Sequence, residues 1–75
     1  MPREVNGMVT LFNTVTGHGT IWSREEVPGG HLLRFNDEDV VTEGMRSGCI
    51  VICEVHADAG HVMAHAKNVR VYQEL

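Results

Sequence analysis

The sequence predicts an all-β fold in which five short strands curl into a small barrel or sandwich. Three observations predict it. Apolar and polar residues alternate with a period of two in several short runs, as they do in half-buried strands. Clusters rich in Gly, Asn, Asp and Pro separate these runs and favour turns. No segment sustains the 3.6-residue period of an amphipathic helix. The chain has 75 residues, one domain over 1–75, with a core expected from about residue 5 to about residue 72. A chain this short buries only about 60–65% of the surface its unfolded form exposes, so the core is thin.

Residues 7–22, GMVTLFNTVTGHGTIW, read as two strands joined by a polar turn. Val9 and Leu11 alternate with Met8, Thr10 and Phe12, and Val5 extends the pattern backwards. Gly17 and Gly19 flank His18 at the start of the second run. Alternating glycines in a strand signal a close approach to the backbone or a sharp bend, and a curling sheet needs such bends. Residues 23–30, SREEVPGG, read as a charged connector. His31, Leu32, Leu33, Arg34 and Phe35 form a third strand, and Asn36 or Asp37 is placed to cap a single helical turn. An irregular connection follows over residues 40–47. Residues 48–56, GCIVICEVH, are the most apolar run and a fourth strand, and a turn over 57–60 leads to a fifth over 61–72. Ala64 and Ala66 fall out of phase with Val69 and Val71, which predicts a bulge in that strand.

Composition excludes several classes. Hydrophobic residues make up 43% of the chain, which argues for a folded globule. No run of 18 apolar residues suggests a membrane span, and the first residues lack a secretory apolar region, so a cytoplasmic protein is expected. The net charge is −4, and the six bases are scattered singly. No basic stripe advertises tight binding to a phosphate backbone. Cys49 and Cys53 stand about 13 Å apart along an extended strand, too far for a disulfide. They read as small buried hydrophobes sharing a face with Val51 and Val55, against a metal or redox role. Five histidines invite a metal reading through His18 with His31, or through His56, His61 and His65, but no zinc-finger spacing supports it. No cofactor or metal is expected. No nucleophile–base pair, paired carboxylates or phosphate loop is present, so no enzyme activity is expected either.

With five strands placed, the chain resembles a cold-shock domain, the OB-fold barrel of bacterial cold-shock proteins and Y-box proteins. The residues that carry the resemblance run through the whole chain: Gly7-x-Val9-x-x-Phe12-Asn13, Gly17-His18-Gly19-x-Ile21, His31-Leu32-Leu33-Arg34-Phe35, Gly48-x-x-Val51-x-Cys53-Glu54-Val55 and Ala66-Lys67-Asn68-Val69. The resemblance implies a five-stranded antiparallel Greek-key OB-fold barrel that binds single-stranded RNA or DNA by stacking bases on its outer face. Carried over position by position, the binding residues are Leu11, Phe12, His18, Thr20, Leu32, Arg34 and Phe35. Leu11 stands where the family has Trp, and His18, Thr20 and Leu32 stand where it has Phe. Arg34 replaces a His, and Thr10 and Thr16 replace lysines. Each lost platform removes about 1–3 kcal/mol of stacking, so weak binding with little sequence preference is expected. Phe12 and Phe35 either stack bases or cover the barrel rim. Trp22, on the parity of His18 and Thr20, is either a rim anchor or a substitute platform. Arg34 either contacts the ligand or pairs with Glu25, Glu26 or an acid among residues 37–39. An RNA chaperone or gene-expression regulator is the role the resemblance implies. The alternative is a protein-interaction module or homodimer that has lost nucleic-acid binding and presents Met8, Leu11 and Leu32 as an apolar patch. The edge between the third and fifth strands is a further place where another chain could pair.

Overall fold

The computed structural model describes residues 3–57 and 59–73. Its strands are β1 (Arg3–Phe12), β2 (His18–Val27), β3 (Gly30–Asn36), β4 (Ile50–His56) and β5 (Ala64–Gln73), with one 3-10 turn at Asp37–Asp39. They form a closed barrel in the order β1-β2-β3-β5-β4. Met1 and Pro2 of the lead-in and Asp58 of the last turn lie outside the described residues. No helix among the described residues is long and apolar enough to cross a membrane.

Four seams of the barrel are antiparallel, and the fifth, between β3 and β5, is parallel. Parity requires this: strand direction cannot alternate all the way round a ring with an odd number of strands. The parallel seam has two residue pairs, Leu33 with Ala64 and Arg34 with His65. The edge between the third and fifth strands is therefore closed within the chain.

The interior follows from alternation, interrupted at three points. Val5 and Val9 of β1, Ile21 and Val27 of β2, Leu33 and Phe35 of β3, and Val51 and Cys53 of β4 all point inward. On β5, Ala64 and Ala66 are buried and so is Val69, three residues later. The expected bulge supplies the phase change: Ile52 pairs with Arg70 but Glu54 with Lys67, and Asn68 takes a left-handed φ of 52°. Cys49 and Cys53 are free and buried beside Val51, while Val55 is only partly covered. Burial pushes the Cys53 thiol up to about 11, against the opposing pull of the Arg70 charge. It stays protonated and packs as a small hydrophobe.

The second interruption corrects the reading of residues 23–30 as a connector. β2 continues through them to Val27, and the turn is confined to Pro28 and Gly29. Ser23 is fully buried because its hydroxyl is satisfied locally, donating to the Glu25 carbonyl at 2.6 Å and accepting from the Glu25 amide at 3.1 Å. Gly29 has φ +88°, and a β-carbon there would collide with the Val62 carbonyl. Asn36 caps the 3-10 turn as expected, its amide donating to Asp39 Oδ2 at 2.9 Å.

On the outer side of β4 and β5, Glu54 accepts hydrogen bonds from His56 Nε2 at 3.1 Å and Asn68 Nδ2 at 3.2 Å. The His56 contact first, and then Asn68, holds this carboxyl below its ordinary value of 4.5. A lowered acid contributes stability above its unfolded value and loses it as pH falls through the folded one. Glu54→Gln is therefore expected to lower the melting temperature at pH 6 and to match the parent chain at pH 3. An equal deficit at both pH values would show that the carboxylate is not what stabilises.

Candidate nucleic-acid interface

The third interruption builds the candidate site. Strict alternation along β1 puts Leu11 inside with Val5 and Val9. Instead the β1–β2 register slips between Val9 and Leu11, so Leu11 pairs with Thr20 and Phe12 with Gly19. Thr10 is the extra residue of this bulge, and its hydroxyl lies 2.7 Å from that of Thr20. The slip turns Leu11 outward, where it is 60% exposed, and Phe12 toward the core. Phe12 then stacks on Phe35, ring centroids 5.6 Å apart and planes 11° from parallel.

Phe35 is not the open stacking platform that the resemblance implies. It is 1% exposed, because β3 alternation points it inward and Phe12 lies on it. Gly19 leaves room for its ring: a β-carbon there would lie 2.6 Å from Phe35 Cζ and 2.6 Å from the Leu11 carbonyl oxygen. The close approach signalled by the alternating glycines is this ring against this backbone.

The outward side chains of β1, β2 and β3 fall in rows set by the register. Met8, Trp22 and Leu32 form one row, Leu11, Thr20 and Arg34 the next, and His18 and Asn36 a third. Trp22 is 50% exposed, and its indole stacks on the His31 imidazole at 5.0 Å and 14°. His31 is held there by donating from Nδ1 to the Ser23 carbonyl at 3.1 Å. Met8 and Leu32 are 39% and 37% exposed beside it. The three rows contain no carboxylate, although the chain as a whole carries −4.

Beside the indole row lies a pocket of about 500 Å³. Leu11, His18, Thr20 and Arg34 line it together with an edge of Phe35, so five of the seven expected site residues meet there. Phe12 and Leu32 do not line it. Its other walls are Asn13, Thr16, Gly19, Asn36 and Met63. Asn13 shapes the mouth, its side-chain oxygen accepting from the amides of Val15 at 2.8 Å and Thr16 at 3.1 Å. Met63 carries no local signal of its role, since it reaches the pocket only through the β3–β5 closure.

Arg34 is positioned by an element that sequence reasoning missed. Its Nη1 donates to His65 Nδ1 at 3.1 Å, and His65 Nε2 donates to Asp39 Oδ2 at 2.6 Å. Of the acids weighed as partners for Arg34, Asp39 is linked to it through a histidine. His18 and His31 lie at opposite ends of the β2–β3 pairing, so the metal pair considered for them does not form. His56 and His65 do face each other across β4 and β5, but no group of three potential metal ligands exists among the described residues. No protein-family model matches this chain, and no curated protein matches it.

Proposed function

We propose that this chain binds single-stranded RNA or DNA through the outer face of β1, β2 and β3, weakly and with little sequence preference. The observation that carries the reading is three adjoining outward rows without a carboxylate on an acidic barrel, with a half-exposed indole beside a pocket bearing a guanidinium. Trp22 takes over the stacking that Phe35, being buried, does not supply. Leu11, His18, Thr20 and Arg34 receive a neighbouring nucleotide, and Leu32 and Met8 flank the indole. Bases stack on such surfaces without regard to identity, at about 1–3 kcal/mol each. With few cations on the face, phosphate contacts are few, and the salt dependence is shallow. A cytoplasmic RNA chaperone or expression regulator is the role this binding would serve.

The test is a titration with oligothymidine and oligouridine, read by Trp22 emission at two salt concentrations. Saturable quenching below about 100 μM, tighter than roughly −5.5 kcal/mol, is expected. The slope of log affinity against log salt should be about −1.4 to −2, corresponding to two or three phosphate contacts. No change up to that concentration would overturn the reading.

A second reading has its own observation. Met8, Trp22 and Leu32 are contiguous and all substantially exposed, which suits a protein partner or a second copy of the chain. Sedimentation that shifts with concentration in the parent chain, and not after Leu32→Ser, would favour it.

A further inference from the structure

We propose that His65, braced by Asp39, is a proton-controlled latch on Arg34. The inference rests on the nucleic-acid reading for its biological use but not for its chemistry. A guanidinium can only donate hydrogen bonds. Since Arg34 Nη1 faces His65 Nδ1 at 3.1 Å, that nitrogen accepts, and the ring proton sits on Nε2, which donates to Asp39 Oδ2 at 2.6 Å. Asp39 is itself fixed, because the same oxygen accepts from the Asn36 amide. The neutral imidazole is thus committed to one tautomer and one orientation. Its free lone pair is spent on Arg34.

A second proton on His65 has only Nδ1 to go to. It replaces the acceptor with a donor and places a positive ring against a positive guanidinium. The ring stays with Asp39, where charge now reinforces the hydrogen bond. The Arg34 contact breaks. His65 is one tether of Arg34 and not its sole partner, so the latch loosens the side chain and changes its balance of contacts rather than setting it wholly adrift. Arg34 lines the pocket, so a loosened guanidinium is one that an anionic ligand can recruit.

The other charged groups around His65 do not reverse this sign. Asp39 on the 3-10 turn and Arg34 on β3 contact the ring. His56 on β4 is its cross-strand partner and is turned toward the Glu54 carboxylate. Lys67, on the same side of β5, is exposed to solvent. Acidification therefore acts on the Arg34 contact chiefly through His65.

The experiment follows the ¹⁵N-labelled full chain by NMR from pH 7.5 to pH 5.5, and over the same range titrates it with fluorescent oligothymidine. His65→Gln is the comparison, because glutamine offers a donor and an acceptor and does not titrate. Its thermal unfolding at pH 7.5 checks that the barrel is intact. In the free parent chain, His65 should hold its proton on Nε2 at pH 7.5, and the Arg34 side-chain resonances should broaden as Nδ1 gains one. The rise in oligothymidine affinity on acidification should be about five- to tenfold larger in the parent chain than in the variant, which keeps any contribution of His18 in the same pocket, a coupling of ordinary size between two sites. Arg34 resonances that ignore the titration, or a variant with the parent's pH response, would overturn the latch even if oligothymidine binds. Resonances that respond while no oligothymidine binds at any pH would support the latch and sink the nucleic-acid reading instead.

Discussion

Phe35→Ala is expected to destabilise the barrel by about 3–5 kcal/mol, the usual cost of emptying a buried aromatic site. A chain of this length has only roughly 4–11 kcal/mol of stability in all, so the variant should be partly or wholly unfolded near physiological temperature. The reason lies in three contacts made at once. Phe35 is the largest fully buried side chain, it supports the Phe12 ring, and it occupies the space that Gly19 leaves open. Urea unfolding followed by circular dichroism checks this. A loss below about 1 kcal/mol would mean that the ring is dispensable to the core and would return it to the list of stacking candidates. Until stability is measured, lost oligonucleotide binding in this variant says nothing about stacking.

Trp22→Ala is expected to behave in the opposite way. The indole is half exposed and stacks on His31, so stability should fall by about 1–2 kcal/mol, less than for Phe35→Ala. Affinity for single-stranded oligonucleotides should fall about 10- to 100-fold, since the main platform is gone. The variant has no tryptophan, so anisotropy of a labelled oligonucleotide is the readout. Trp22→Phe should recover part of the loss, because a smaller ring still stacks. Unchanged affinity in the alanine variant would remove Trp22 from the interface and leave the pocket around Arg34 to account for binding alone. The pair of variants separates a residue that holds the face in shape from one that meets the ligand.

The strands were legible because their signals are local. The period-two runs, the turn residues and the out-of-phase alanines of β5 all sit within a few residues of the feature they predict. Leu11 and Phe12 show where this stops. Alternation puts Leu11 inside, and only the bulge at Thr10, formed with Thr20 on the next strand, exchanges the two. Residues 23–27 were obscured by their charge. Arg24, Glu25 and Glu26 face solvent from a strand whose buried Ser23 bonds to its own neighbour, so polarity and strand coexist. The Arg34–His65–Asp39 chain was out of reach for a different reason. Its members come from β3, β5 and the 3-10 turn, and Arg34 is 31 residues from His65. No local pattern encodes that meeting.

The parallel seam has a consequence for how the molecule breathes. Two residue pairs join β3 to β5, whereas every other seam has at least five. Opening should therefore begin there, as the least secured part of a cooperative structure. Backbone amides around Arg34 and His65 should take up deuterium from solvent sooner than those between β1 and β4. The pocket straddles this weak line, with Arg34 on one lip and Met63, just before β5, on the other. A nucleotide seated across it would act as a staple, and it would slow deuterium uptake at the lips more than elsewhere. An interface of modest affinity would then also be a control on how often the barrel comes apart.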